Sequence, residues 1–263
     1  MKLLLAANHP PGGALPFGGV QSWISTVARR LIERGHSVSI WGEKKRLPKG
    51  RFDVGIIAHY RYASLAVTLC DRVISVSHGV VKDERPCKRW PVVCTSEEVR
   101  DYWGGGEVIR QPIDLDFWSP QDAREPTLVF YSYRAPESFG IEHAAAKLGL
   151  RFKWLKDVSE FEARKELGRA TAVCASGRAA LEAMSCGVPT LICDWRPYQN
   201  GPLMCEDFGL AMRNNYSGRC GEKPTPESIA EAVSRAMALQ FPRAYIAEFH
   251  DSGKITGEIL SLC

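Results

Sequence analysis

The chain has 263 residues, 45% of them hydrophobic, and a formal net charge of +4. That length and apolar content suit two domains of about 100–150 residues each. No apolar run reaches the roughly 18 residues that a membrane-spanning helix requires, so a transmembrane segment is excluded. The opening MKLLLAAN is too short for the apolar region of a secretory leader and reads as a buried first strand. The excess charge is uneven: residues 1–120 hold 17 Lys and Arg against 12 Asp and Glu, net +5, leaving −1 for the remainder.

In chain order, apolar β-branched runs alternate with helical patterns, the signature of parallel sheets built from βαβ units. KLLLAA is a strand, followed by a Pro- and Gly-rich loop from Asn8 to Phe17. Gly18-Gly19 opens a helix whose apolar positions Val20, Trp23, Ile24, Val27, Leu31 and Ile32 fall on one stripe; Gly35 stops it. SVSIWG, DVGIIAH, RVISVSH, PVVCTS and EVIRQP are short buried strands, completing a first domain over residues 1–119. The pattern then restarts over 120–240. TLVFYSYR, RFKWL, TAVCAS and PTLICD are strands; Ile141 to Leu148, SEFEARKELGRA, RAALEAMSCG and PESIAEAVSRAMALQ are helices. A helical tail, 241–263, breaks near Asp251–Gly253. The expected fold class is α/β, with two Rossmann-like domains whose parallel sheets face a cleft.

Nine cysteines are scattered without a CxxC pair. They read as free thiols of a reducing cytosol, which predicts a cytoplasmic protein with neither zinc site nor disulfide.

Ligands of parallel sheets bind beyond the carboxyl ends of the strands. Asn8-His9, His59 and His78-Gly79 occupy such ends, and His78 is the leading catalytic candidate because its strand is clear and Gly79 admits close approach. Gly18 and Gly19 precede a helix start, where free N–H groups and the helix dipole favour an anion. The segment CASGRAALEAMSCGVP, Cys174 to Pro189, is the strongest local signal. Ser176-Gly177 forms a turn into a helix, with Arg178 beside it, a setting for a diphosphate. Glu182 lies about a turn inside that helix and needs a partner: either a ribose with two adjacent hydroxyls, or a neighbouring Arg.

Four stretches together resemble the GT-B glycosyltransferases of the "group 1" family, relatives of glycogen synthase and bacterial mannosyltransferases. They are GGVQSWISTVARRLIERGHSVSIWG, VVCTSEEVRDYW with VIRQPIDLDFW, SGRAALEAMSCGVPTLICD, and the tail. The resemblance implies that the tail crosses back to the first domain. It implies a nucleotide-sugar co-substrate, UDP- or GDP-linked, and no bound cofactor. It implies that Gly18 and Gly19 face the donor phosphates, that His78 sits near the reacting sugar and that Arg134 contacts phosphate. Glu182 matches the second Glu of the family's E-x7-E motif and would hold the donor ribose, while Cys174 stands where the motif has its first Glu. The Asp114-Leu115-Asp116 spacing is read as a domain-closing segment, so metal independence is expected.

Two basic loops, Lys44–Arg51 and Lys82–Arg89, leave strand ends of the first domain. Such loops suit a polyanionic acceptor, DNA or an acidic glycan, or are solvated loops that aid solubility. The expected activity is transfer of a sugar from a nucleotide-diphosphate sugar to an acceptor. Alternatives are a phage-type DNA glycosyltransferase acting on a modified pyrimidine, and a sugar-nucleotide epimerase or non-catalytic nucleotide-sugar-binding protein.

Overall fold

A computed structural model describes residues 1–8, 18–42, 46–132, 140–194, 203–238 and 243–263. The chain forms two units, one of Met1–Asp114 with His250–Cys263 and one of Leu115–Phe249.

The first unit is built on a parallel sheet of six strands: β1 (Lys2–Ala7), β2 (Ser37–Gly42), β3 (Phe52–Ile57), β4 (Cys70–Ser77), β5 (Val92–Cys94) and β6 (Glu107–Val108). Their spatial order is β2-β1-β3-β4-β5-β6. The chain leaves β1 for β2 on one side and returns to place β3 on the other, so the connection reverses between β1 and β3. Side chains alternate across the sheet. Leu3, Leu5 and Ala7 pack with Trp23, Ile24, Val27 and Leu31 of helix α1 (Gly19–Glu33). Leu4 and Ala6 pack on the other face with Tyr62 and with Ala66 of helix α2 (Ala63–Leu69). Burial on both faces explains why β1 reads as an unbroken apolar run.

Helix α1 ends at a left-handed glycine, Gly35, at φ +80°. The Gly35 N–H donates to the Ile32 carbonyl and the His36 N–H to the Leu31 carbonyl, a Schellman closure. Helix α3 (Glu97–Trp103) starts at Ser96, whose hydroxyl accepts the Val99 N–H. The TSEEV sequence carries that capping signal, although α3 was not among the expected elements, nor was α2.

EVIRQP is a strand only at Glu107–Val108. Beyond it the chain turns to the C-terminal segment. The Ile113 N–H donates to the His250 carbonyl, the Ser252 N–H to the Ile113 carbonyl, and His250 Nδ1 lies 2.9 Å from the Gln111 carbonyl oxygen. Helix α10 (Ser252–Ser261) adds Ile255 and Ile259 to the α1 core.

The second unit holds β7 (Glu125–Tyr131), β8 (Arg151–Leu155), β9 (Ala170–Ala175), β10 (Thr190–Asp194) and β11 (Leu203–Cys205), in the order β11-β10-β9-β7-β8. All pair in parallel except β11, which runs antiparallel to β10 at the edge. Its helices are α4 (Ile141–Lys147), α5 (Glu160–Arg169), α6 (Arg178–Ser185), α7 (Phe208–Arg213), α8 (Pro226–Ala238) and α9 (Arg243–His250). Leu128, Phe130, Ala172, Cys174, Leu191 and Cys193 pack against Ile141, Ala144, Ala145, Ile229 and Val233. Here the connection reverses between β7 and β9. The division at Asp114–Leu115 falls five residues before the expected boundary at 119, and the stretch to Phe249 clusters with the second unit. Among the described residues no helix is long and apolar enough to cross a membrane.

Candidate functional site

In open parallel sheets, ligands gather outside the carboxyl ends of the strands where the connection reverses. That rule selects one place in each unit. In the second unit it selects Tyr131, at the end of β7, and Ser176-Gly177-Arg178, at the end of β9.

Gly177 has φ +58° and ψ −134°, backbone that side-chain-bearing residues rarely adopt. A Cβ built there would meet nothing within 4 Å, so glycine is required by the dihedral angles, not by crowding. The Gly177 N–H donates to the Tyr216 carbonyl at 2.6 Å. Tyr216 and Asn215 themselves sit at φ +52° and +54°. The neighbouring Gly218 N–H donates to the buried Asp194 carboxylate at 3.4 Å. A second loop thus buttresses the turn that launches α6. Beyond Gly177, the first-turn N–H groups of α6 have no acceptor inside the helix and carry the positive end of its dipole.

The structure brings Arg178 and Glu182 together. Arg178 Nε lies 3.0 Å from Glu182 Oε1, and the residues are only 6% and 3% exposed. The neighbouring arginine named above as an alternative partner for Glu182 is therefore the one it meets, and the guanidinium expected beside a diphosphate is turned inward. The Tyr131 hydroxyl donates to the same carboxylate. Burial pushes the Glu182 carboxyl up to about 7, against the pull of Arg178 and Tyr131. Burial and the adjacent carboxylate hold the Tyr131 hydroxyl well above the usual phenol range. Sequence reasoning missed Tyr131, Asp194 and Tyr216. Because TLVFYSYR reads as a strand running to Arg134, the strand-end rule points past Tyr131, at which β7 ends. The other two meet the turn through tertiary contacts that no local pattern encodes.

In the first unit the reversal lies between β1 and β3. The Asn8 N–H donates to His59 Nδ1 at 3.2 Å, which leaves the proton of a neutral His59 ring on Nε2. His78, at the end of β4, is 7% exposed and packs edge-on against Trp23 with ring centroids 5.1 Å apart. Its carbonyl accepts the Thr95 hydroxyl. What approaches Gly79 is the Glu84 carboxylate, which a Cβ at that glycine would strike; the Gly79 carbonyl accepts the Trp103 indole N–H at 2.8 Å. Gly18 caps α1, and its N–H is taken by the Gln21 side chain at 3.2 Å. Gly19 is exposed at the first helical position. Arg134, His9, Lys44 and Lys45 lie outside the described residues.

Asp114 is held by Arg29 and Arg30 at 3.0 and 3.2 Å. Among the described residues no group of three or more His, Cys, Asp or Glu is placed to bind a metal ion. On the basic loops, Lys82, Arg85, Lys88 and Arg89 are exposed. Arg46, Lys49 and Arg51 are exposed too, and Arg51 pairs with Asp71.

No family model matches the sequence, and no curated protein matches it. Solved structures do. An alpha-glucosyltransferase in complex with UDP and a 13-mer DNA containing a central A:G mismatch is 13% identical, with 99% of this chain and 98% of that one covered, at a TM-score of 0.63. Sucrose-phosphate synthase from Thermosynechococcus elongatus is 12% identical over 99% and 98%, at 0.64. The UDP-GlcNAc 2-epimerase of Methanocaldococcus jannaschii, in complex with UDP-GlcNAc and UDP, is 12% identical over 100% and 99%, at 0.55. At these identities the likeness is one of fold: two parallel-sheet α/β units of the GT-B type.

Proposed function

We propose that this chain is a glycosyltransferase that takes a sugar from a nucleoside diphosphate donor. The observation that carries the reading is the turn at Gly177, a glycine-only backbone at a strand end, where the connection reverses and a helix begins. Solved structures of like fold hold UDP, one of them with UDP-GlcNAc, which supports a nucleotide-sugar donor. In this reading the first-turn N–H groups of α6, with Ser176, receive the diphosphate. Glu182, neutral or ionised near pH 7, holds Arg178 and Tyr131 in register beneath it. On the family resemblance, Gly18, Gly19 and Arg134 are proposed to meet the donor phosphates and His78 the reacting sugar.

Cleaving the sugar–phosphate bond leaves negative charge on the departing diphosphate. Fixed N–H dipoles and arginine stabilise such charge without reorganising at the moment of reaction. No metal takes part in this mechanism. A panel of UDP- and GDP-sugars incubated with the chain, followed by mass spectrometry, tests the reading. Slow hydrolysis of one donor, unchanged in excess EDTA, is the expected result. Epimerisation without an acceptor would identify an epimerase instead, and binding with neither reaction a non-catalytic module.

The acceptor we infer is a polyanion. Four exposed cations on one loop, Lys82, Arg85, Lys88 and Arg89, support it, and one structure of like fold was solved with DNA. If all four meet phosphates, the logarithm of duplex affinity falls by about 3–4 units per tenfold rise in salt. A gel-shift titration at several salt concentrations checks this. Absence of a shift at low ionic strength would turn the reading toward a glycan or small-molecule acceptor.

A further inference from the structure

None of the nine cysteines is joined in a disulfide, and two of them meet at the edge of the second unit. Cys205 ends β11, and Cys220 lies beyond α7; their Sγ atoms are 3.0 Å apart, with the Cys220 S–H donating. The backbone holds them there. Met204 and Glu222 exchange both N–H···O bonds, at 2.8 and 3.0 Å. Between them Gly221 comes so close to the Met204 carbonyl that a Cβ would overlap it. The two segments are therefore locked at a separation only glycine permits, and the sulfurs sit about 1 Å beyond bonding distance.

We propose that Cys205 and Cys220 form a reversible disulfide by exchange with a small-molecule disulfide such as oxidised glutathione. Cys220 is the more exposed of the two and attacks first as the thiolate. Its sulfur bonds to one glutathione sulfur, the glutathione S–S bond breaks, and one glutathione leaves as a thiolate that takes up the proton. The Cys205 thiolate then attacks Cys220 Sγ and expels the second glutathione. Two protein thiols are oxidised to one disulfide and one glutathione disulfide is reduced to two thiols. Exchange requires a thiolate, and either sulfur of the pair, once ionised, can accept the S–H of the other across 3.0 Å, whereas burial pushes the Cys174 thiol up to about 12.

The bridge fastens the loop 206–219, which carries Tyr216 and Gly218, the residues that hold Gly177 and Asp194. This inference stands independently of the nucleotide reading. Its test is the full chain equilibrated across a series of reduced-to-oxidised glutathione ratios, quenched in acid and alkylated in denaturant. The expected species is two hydrogens lighter, with seven of the nine cysteines alkylated and a linked Cys205–Cys220 peptide. Its thermal midpoint rises on oxidation, and that of Cys220→Ala does not. Cys205→Ser retains one glutathione on Cys220. Nine alkylated thiols throughout, a bridge between other cysteines, or a persistent mixed disulfide on Cys220 of the unmodified sequence overturns the proposal.

Discussion

Replacing Arg178 with alanine is expected to lower folding stability by about 3–5 kcal/mol at pH 8, because it leaves the Glu182 carboxylate buried without its cation. The two side chains are each 5% exposed and 3.0 Å apart, so bulk water does little to screen the carboxylate left behind. The loss depends on pH. In the folded chain Glu182 holds its proton until about pH 7, against 4.5 for the ordinary carboxyl. The folded state therefore binds the proton more tightly than the unfolded state. The stability this contributes is full below pH 4.5 and is lost as the pH rises through about 7. At pH 5 the carboxyl of the Arg178→Ala chain is neutral, no buried charge is stranded, and the deficit shrinks. Adding Glu182→Gln to Arg178→Ala removes the charge outright and recovers much of the loss at pH 8. Urea unfolding of the unmodified chain and the two variants at pH 5 and pH 8 measures all of this. A deficit under about 1 kcal/mol at both pH values would show that the pair is not the buried ion pair described.

Gly177→Ala carries the second large effect. The methyl group meets no neighbour, so overcrowding contributes nothing. The cost lies in holding an alanine at φ +58° and ψ −134°, about 1–3 kcal/mol. If the turn relaxes instead, the Gly177 N–H leaves the Tyr216 carbonyl and the first turn of α6 is re-aimed. On the proposed function the donor then binds at least about tenfold more weakly, since 1.4 kcal/mol misdirected at the phosphates is a factor of ten. Thermal melts and nucleotide titration of this variant separate the outcomes. A stable Gly177→Ala chain with undiminished nucleotide affinity would remove the turn from the site.

Much of this architecture was legible in the amino-acid sequence. SVSIWG and RFKWL occupy β2 and β8 residue for residue, because short apolar runs closed by Gly or by charge leave little freedom in where a buried strand starts and stops. The glycine turn before α6 was legible for a similar reason: a strand, a glycine and an Ala-rich helix in succession have few other solutions. What escaped was set by contacts distant in sequence. Helix α2, ASLAVTL, has no stripe or cap strong enough to announce it, and it forms where Ala63 and Ala66 pack beneath the sheet. β11 is antiparallel, against the parallel rule of its neighbours, since it is hydrogen-bonded both to β10 and to Glu222. Glu182 posed the clearest choice. Spacing alone allowed a ribose or an arginine, and only the helical (i, i+4) geometry, with Tyr131 arriving from β7, makes Arg178 the partner. His78 was placed correctly at a strand end, yet its ring is packed on Trp23 and its glycine is met by Glu84, neighbours that local pattern does not encode.

On the proposed function, the turn at Gly177 and the first turn of α6 receive the donor diphosphate. Amide hydrogen exchange of the full chain, with and without saturating UDP or GDP, tests it most directly. One of the two nucleotides is expected to slow exchange of the peptides spanning 176–180. Nucleotide binding that leaves those amides unchanged while protecting only the first unit, or no binding of either nucleotide at millimolar concentration, would contradict it.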